Sequence, residues 1–249
     1  MLLENKVAII YGAGGPIGGA VARAFAREGA RVFLAGRTRP KLDAVAEEIR
    51  STGEIVHTAT VNALDERAVE DYVDAVVRQT GHVDVSFNAI SYADVQKPLM
   101  EITADEFVQP ILTAARSQFV TTHAAARHMI RRGSGVILAF GGGGAQTLPG
   151  LGGFKVALDT VEGLRRQWAC ELGRHGIRVV TLRSAGVPES IPEGMAGAAE
   201  IAESIRQRTL LGRAATLDDV GHVAAFVASD RARTMTATEV DISCGTVMD

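Results

Sequence analysis

Short apolar runs alternate with longer amphipathic stretches along most of the chain. The runs are rich in valine, isoleucine and leucine, and near-continuous runs of this kind are typical of parallel strands covered on both faces. The pattern predicts seven strands, over residues 7–11, 31–35, 55–61, 83–87, 135–140, 177–182 and 238–243. It predicts helices over residues 17–29, 39–51, 65–80, 103–132, 152–175 and 216–229.

The regular alternation of strand and helix indicates the fold class. Right-handed crossovers join neighbouring parallel strands in such units and place helices on both faces of the sheet. We therefore predict an α/β fold, a doubly wound three-layer sandwich of the Rossmann type with a parallel seven-stranded sheet. No linker rich in proline or serine divides the 249 residues, so residues 1–249 are expected to form a single domain.

One segment, residues 184–211, departs from this alternation. Two prolines and several glycines fall within residues 184–200, after the sixth predicted strand. A mobile loop that closes over a ligand has this composition, and so does an ordinary surface excursion. We treat residues 184–211 as a candidate substrate lid and leave both interpretations open.

Composition and charge exclude several classes of protein. A hydrophobic content of 47% with 22% charged residues is typical of a soluble protein with a sizeable core. The formal net charge of −3 argues against a nucleic-acid surface. The pairs Arg131–Arg132 and Arg165–Arg166 are too short to change this, and we interpret them as solvated helix faces.

The N-terminal apolar run is short and contains Glu4 and Lys6, so we expect no signal peptide and no membrane span. A cytoplasmic location is the default expectation. Cys170 and Cys244 lie far apart and form no CxxC motif. His123 and His128 are five positions apart on a predicted helix, which is not one face, so we expect no metal site.

A glycine-rich turn, YGAGGPIGG at residues 11–19, directly follows the first predicted strand. Glycines at this place let the chain turn sharply and let backbone N–H groups approach a pyrophosphate. The N-terminus of the next helix adds its positive end. A turn of this kind at this position in a doubly wound chain indicates a dinucleotide site.

This turn resembles the TGxxxGIG motif of the short-chain dehydrogenases/reductases. Gly12, Ile17 and Gly18 match, whereas Tyr11 replaces the threonine and Pro16 replaces the middle glycine. Proline lacks one backbone donor but suits the first turn of a helix. Further matches are Asn88–Ala89, which resembles the start of the family's NAG motif, Gly186 at the end of its PG motif, and the segments 171–180 and 212–230.

The resemblance covers the whole chain, and it implies an oxidoreductase that uses a nicotinamide dinucleotide and a small-molecule substrate. It also implies a homodimer or homotetramer, because the helices over 103–132 and 152–175 pack subunits together in many relatives. The implied cofactor-binding residues are Gly12, Gly14, Gly15, Pro16, Ile17, Gly18, Arg37, Thr38, Asn62, Ala63, Asn88 and Ala89.

The end of the second predicted strand bears on which dinucleotide is bound. An acid at this place would accept a hydrogen bond from the adenosine ribose, but Gly36 occupies it and Arg37 follows. A guanidinium without a nearby carboxylate suits a 2′-phosphate. We therefore expect NADP(H) rather than NAD(H).

The four side chains that carry the family's proton chemistry are missing. The resemblance implies a tyrosine as proton donor, a lysine one helical turn later, a serine that binds the substrate oxygen and an asparagine that continues the proton relay. The segment VEGLRRQWACELG fixes the register. It puts Phe154 at the tyrosine, Leu158 at the lysine, Gly141 at the serine and Ala114 at the asparagine.

Other residues could replace these groups. Tyr92 and Asp94 follow the fourth strand, where doubly wound folds place ligands, and Lys155 is the nearest lysine, although we expect it to point away from the cofactor. The run Gly141–Gly144 could form an anion-binding nest or make room for a bulky ligand. The candidate substrate pocket comprises Tyr92, Gly142, Gly143, Gln146 and Gly186.

Three functions remain open. The first is an atypical NADP(H)-dependent oxidoreductase with displaced or substrate-supplied proton chemistry. The second is a non-redox enzyme of the cyclase, isomerase or dehydratase type that uses the same pocket. The third is a pseudoenzyme that senses the cofactor or binds a partner without turnover. We rank the first ahead because the phosphate turn is retained, although fold alone does not imply function.

Overall fold

A computed structural model describes residues 1–142, 147–192, 194–195 and 197–246. Its strands are β1 (Val7–Tyr11), β2 (Arg31–Gly36), β3 (Val56–Thr60), β4 (Val85–Asn88), β5 (Gly135–Phe140), β6 (Ile177–Arg183) and β7 (Thr238–Asp241). They form a seven-stranded sheet in the order β3-β2-β1-β4-β5-β6-β7, and every neighbouring pair is parallel. The helices are α1 (Pro16–Arg27), α2 (Arg39–Ser51), α3 (Glu66–Thr80), α4 (Ala104–Arg132), α5 (Phe154–Leu172), α6 (Ala198–Gln207) and α7 (Leu217–Ala228). This arrangement confirms the predicted Rossmann-type fold.

The sheet is covered on both faces, as the continuous apolar runs predict. Side chains alternate along each strand, so Ala8 and Ile10 of β1 pack against the layer of α1, α2 and α7. Ile9 and Tyr11 of the same strand pack against the layer of α3, α4 and α5. Each face therefore has its own apolar core.

Helix α6 lies inside the segment that the sequence analysis treats as a candidate lid. After β6 the chain passes through a short 3₁₀ turn at Pro188–Ser190 before α6 begins. Only Ile205 of the described α6 residues is buried, and it packs against Gly186. The segment is therefore partly regular, with one apolar side chain that anchors it.

The parallel topology puts the carboxyl ends of all strands at one edge of the sheet. The glycine-rich turn after β1, the loop after β2, the segment 89–98 after β4 and Gly141–Gly142 after β5 all lie at this edge. Ligands of doubly wound folds bind here, at the point where the strand order reverses. In this sheet the reversal is between β1 and β4.

Candidate functional site

The turn after β1 is held open by glycines that nothing larger can replace. Gly12 has a φ of +75°, and a Cβ there would lie 2.5 Å from the carbonyl oxygen of Ala89. A Cβ on Gly18 would lie 2.3 Å from the carbonyl oxygen of Gly12. Gly15 closes the turn by donating its N–H to that same carbonyl at 3.0 Å. Glycine is thus required at both positions, as in a turn that brings backbone N–H groups to a pyrophosphate.

Pro16 is the first residue of α1, and Gly15 before it is extended, with a φ of −91°. The N–H of a first-turn residue has no partner within its helix, so a proline here removes no helical hydrogen bond. The remaining first-turn donors, which include that of Ile17, keep the positive end of α1 at the turn. Tyr11 points elsewhere, because its ring is buried edge-on against Tyr72.

Two cationic side chains, those of Arg37 and Lys41, belong to the segment that follows β2 beside this turn. Arg37 is exposed after β2 and makes no hydrogen bond or ion pair with any described residue, whereas Arg39 bonds Asp43 at 2.8 Å. Lys41 was not singled out from the sequence, yet its Cβ lies 2.9 Å from where a Gly14 Cβ would be. Only its position on the first turn of α2, across from the glycines, could have indicated it.

The polar residues after β3 and β4 serve the backbone around them. Asn88 is buried, donates to the Thr121 hydroxyl at 3.1 Å and accepts from the Ile90 N–H at 3.0 Å. It thereby fixes the chain whose Ala89 carbonyl contacts Gly12. The exposed Asn62 accepts from the Leu64 N–H at 3.2 Å, and Ala63 beside it is buried. Thr38 begins α2, but its hydroxyl makes no capping hydrogen bond.

The four positions expected to have lost their polar groups come together at the start of α5. Ala114, Phe154 and Leu158 belong to one apolar cluster, which also contains Tyr92, Ala139, Ala157 and Val161. Gly141 adjoins it, because a Cβ there would lie 3.0 Å from Leu158 Cδ2. The φ of +98° at Gly141 would strain a serine. Within this cluster the Tyr92 hydroxyl is the one polar side-chain atom that the described residues supply.

Tyr92 is buried, and its ring lies 6.3 Å from that of Phe154. Its hydroxyl is near the Gln118 amide, but neither group finds a hydrogen bond among the described residues. Burial raises the pKa of Tyr92 to about 12, against a lowering by Gln118, and Glu162 raises it further. The side chain is therefore a neutral phenol at physiological pH.

The other two candidate substitutes are already engaged. Lys155 pairs with Asp159 one turn later on α5, with Nζ 2.6 Å from Oδ2. Asp94 accepts a hydrogen bond from Gln96 at 2.9 Å in the segment after β4.

The glycines that follow β5 form part of the same edge. Gly142 is buried, and a Cβ there would lie 3.1 Å from Glu239 Oε2 and from Arg183 Cβ. Gly143, Gly144 and Gln146 fall outside the described residues. Gly186 has a φ of +114° and packs on Ile205, which ties the candidate lid to the end of β6.

His123 and His128 of α4 both pair with acids on α3. His128 Nε2 lies 2.6 Å from Asp74 Oδ1, and His123 Nδ1 lies 3.8 Å from Glu70 Oε1. Glu66 joins Glu70 and His123 in a group whose ligand atoms lie within 4.8 Å of one another. Arg127 also contacts Glu70, so a cation already occupies part of this surface.

Comparison with known proteins assigns the family. The family model described as enoyl-(acyl carrier protein) reductase matches residues 12–246. The chain belongs to the short-chain dehydrogenases/reductases. The resemblance drawn from the sequence motifs is therefore confirmed, and with it membership of a superfamily of oxidoreductases that generally bind NAD(P)(H).

Curated relatives align over almost the full length of this family member. A short-chain dehydrogenase reductase, ATA1, from Arabidopsis thaliana is 32% identical over 91% of this chain and 86% of its own length. A (−)-isopiperitenol/(−)-carveol dehydrogenase from Mentha piperita is 31% identical over 98% of this chain and 94% of its own length. The crystal structure of levodione reductase superposes with a TM-score of 0.89 at 27% identity, covering 97% of each chain.

A charged cluster beneath the edge of the sheet was missed from the sequence of this short-chain dehydrogenase/reductase. Arg165 is buried, so its interpretation as a solvated helix residue is wrong. It pairs with the buried Glu162, Nη2 to Oε2, at 2.7 Å. The error arises because Glu162 and Arg165 lie on an amphipathic helix, and the strands that cover them are distant in the sequence.

Among the described helices none is long and apolar enough to cross a membrane.

Proposed function

We propose that the chain is an atypical NADP(H)-binding oxidoreductase acting on a small molecule. The observation that carries the proposal is the packed turn of Gly12 and Gly18, followed after the next strand by Arg37, which pairs with none of the described residues. A Cβ at Gly12 or Gly18 would collide with the backbone, so the tight turn depends on glycine at both positions. A turn of this kind after the first strand supports a bound dinucleotide. The unpaired guanidinium supports the 2′-phosphorylated form.

Each part of the site has a binding task in this proposal. Backbone N–H groups of the turn and the N-terminus of α1 bind the pyrophosphate, and Arg37 binds the 2′-phosphate with Lys41 nearby. Asn88 keeps the Ala89 carbonyl against the turn. The nicotinamide of the cofactor would supply or accept a hydride, as in the family.

The apolar cluster limits the reaction. Phe154 and Leu158 can neither donate a proton nor hold a ribose hydroxyl, so the usual acid of the family is absent at these positions. Loss of a positioned acid costs about 10²–10⁴ in rate. We therefore expect either an activated acceptor or a proton source elsewhere in the chain.

A second candidate function is a cofactor-binding protein without turnover. The specific observation in its favour is that Ala114, Phe154 and Leu158 form a packed apolar cluster instead of a partly emptied polar one. In this case NADPH binds, but no acceptor is reduced.

Calorimetric titration with NADPH and, separately, NADH tests the proposal. We expect tighter binding of NADPH. Arg37→Gln removes a charge-assisted hydrogen bond worth roughly 1.5–3 kcal/mol, which corresponds to about a 10- to 150-fold weaker Kd for NADPH, with NADH unchanged. The matched control is Arg39→Gln, which removes a guanidinium already bonded to Asp43 and leaves both affinities within about threefold.

Two results would contradict the proposal. Equal affinity for both dinucleotides would contradict the preference for NADP(H). If neither dinucleotide binds, the chain is not the proposed oxidoreductase. Where NADPH binds, absorbance is followed with a panel of activated carbonyl acceptors. Oxidation of NADPH supports the first function, and binding without oxidation by any acceptor supports the second.

The assembled form is also proposed from one surface. Leu112 and Phe119 of α4 and Val156 of α5 are exposed although apolar, and the Phe119 ring lies 5.6 Å from Trp168. An apolar strip along two neighbouring helices is typical of an interface between subunits. We propose a homodimer or homotetramer that buries this α4/α5 strip.

A further inference from the structure

Beneath the C-terminal edge of the sheet, α5, β6 and β7 enclose a cluster of charged side chains. Glu162 and Arg165 of α5 and Arg183 of β6 are buried, with at most 8% of each residue exposed. Arg183 Nη1 lies 2.6 Å from Glu239 Oε2, and its Nη2 donates to Asp241 Oδ2 at 3.0 Å. Within the described part of the chain, three acids thus contact two guanidiniums.

Glu162 and Glu239 are the two acids of the cluster that are withdrawn from solvent, whereas Asp241 is exposed. The side chains of Glu162 and Glu239 are 3% and 18% exposed. A buried carboxylate is expensive unless its oxygens are paired or hydrogen-bonded, so a proton held in the cluster belongs on Glu162 or Glu239.

The contact between the two glutamates shows where that proton lies. Their carboxyls face each other between α5 and β7, where Glu162 Oε1 and Glu239 Oε2 are both buried and each group shifts the pKa of the other. Glu162 Oε2 takes the Arg165 guanidinium, but Oε1 is buried and finds no donor among the described residues. Two ionised carboxylates cannot satisfy each other, whereas a protonated one donates to its partner.

The pKa values of the two carboxyls shift in opposite directions. Burial raises the pKa of Glu239, and the Glu162 carboxyl raises it further, to about 7 overall, although Arg183 opposes this. Burial also acts against ionisation of Glu162, but its contacts with Glu239 and Arg165 lower its pKa below the usual value. Glu239 is therefore the partner that holds the proton. Among the residues that the structure describes, the groups facing the pair include Tyr92, Arg165, Thr181, Arg183 and Asp241.

The pair adjoins the candidate site. Glu239 Oε2 lies 3.1 Å from where a Gly142 Cβ would be, directly after the end of β5. On the other side a cavity of about 10 Å³, room for one water, is lined by Gln118, Arg165, Trp168 and Thr181. Arg165 Nη1 and Trp168 Nε1 are buried there without a described hydrogen-bond partner. These two donors suit one bound water beside Arg165.

We propose that Glu162 and Glu239 share one proton and form an acid–base site that exchanges it with a ligand bound at the C-terminal edge of the sheet. Where the ligand is a carbonyl compound, this rests on the proposed function. The O–H bond on Glu239 breaks as a new O–H bond forms on the ligand oxygen that gains negative charge. Glu239 becomes a carboxylate and regains a proton from solvent.

Infrared difference spectroscopy of the full chain without added ligand tests the pair itself. Between pH 5.5 and pH 8.5 the wild type should lose the C=O band of about one carboxylic acid. Ordinary glutamates are already ionised over this range and give no such band. Absence of the band from the wild type would therefore overturn the proposal. This readout needs no cofactor, so it separates failure of the pair from failure of the proposed function.

Three variants locate the band. Glu239→Gln removes it, and Glu162→Gln removes it as well, because Glu239 then faces guanidiniums without an opposing carboxylate. The matched control Glu48→Gln changes an exposed carboxylate that pairs with Arg23, and leaves the band intact. A band that persists in both pair variants places the proton elsewhere and overturns the proposal. If one pair variant does not fold, the other and the wild-type titration still decide.

The position of the pair beside the site is tested by Gly142→Ser. A side chain there presses on the Glu239 carboxyl, so the midpoint of the band should shift, and an unchanged midpoint contradicts the placement. With any acceptor that oxidises NADPH, Glu239→Gln should lower kcat about 10²-fold or more with little change in KM, and remove the pH dependence near neutrality. Unchanged kcat and an unchanged pH profile would show that the pair is not the proton source.

Discussion

At the residue scale, Phe154 and Leu158 lie one helical turn apart on α5 and present the same face to Ala114. Any polar group restored at one of these positions would meet apolar neighbours at the others. On the register predicted from the sequence, restoring the family's chemistry here would require several changes at once, since a lone lysine at 158 would be a half-buried charge among apolar neighbours. Proton chemistry at a different pair of residues avoids this cost.

Glu239 should give the stability of the protein a pH dependence of unusual sign. Because its pKa is raised from 4.5 to about 7, the folded chain binds more protons than the unfolded chain between these values. The stabilisation is complete below the unfolded pKa and is lost as pH rises through about 7. His57 contributes in the opposite sense, because burial and Arg31 lower its pKa.

Urea denaturation of the wild type and Glu239→Gln, at pH values from 5 to 8, isolates this contribution. The difference in free energy of unfolding between the two proteins should shift against the wild type as pH rises. Since His57 is common to both, its effect cancels. A difference that stays constant across the range, as expected for Glu48→Gln, would contradict the raised pKa.

At the scale of elements, α7 is fixed by its N-terminal cap. The Thr216 hydroxyl accepts from the Asp219 N–H at 3.0 Å, and the Asp219 carboxylate accepts from the Thr216 N–H at 3.0 Å. Arg213 and these bonds lower the pKa of Asp219 to about 2, so the cap stays ionised in mild acid. Two of the unpaired backbone N–H groups at the helix start are thus satisfied.

Thr216→Ala should lower the free energy of unfolding by about 1 kcal/mol, because it removes one of these reciprocal bonds. Thr38→Ala is the matched control, since Thr38 also precedes a helix but makes no side-chain cap. Chemical denaturation of both variants measures the difference. Equal losses in the two variants would show that the reciprocal cap contributes nothing particular to α7.

The sequence predicts the central elements most accurately. The bounds of β1 and β5 agree with the prediction, because an apolar run between turn residues identifies a buried strand. Helix α6 was not predicted, because it buries only Ile205 and so lacks a continuous apolar face. The glutamate pair was not predicted either. Its members lie on α5 and β7, and only the pairing of β6 with β7 brings them together.

At the scale of the whole molecule, the α4/α5 strip should govern assembly. Replacing Leu112 and Phe119 together by glutamate places two charges on the proposed interface, so the mass in light scattering should fall to that of a smaller species. Ile55→Glu is the control, because Ile55 is 58% exposed and Leu112 57%, and Ile55 lies away from α4 and α5. An unchanged mass in the double variant would place the interface elsewhere.

The strand order also determines when each part of the molecule can form during synthesis. Because β1, β2 and β3 are adjacent in both sequence and sheet, the N-terminal half and its phosphate turn can assemble early. Glu239 is on β7, which joins the far side of the sheet after β6. Under the proposed function, a nascent chain would therefore complete its phosphate turn well before the proposed acid–base pair of Glu162 and Glu239.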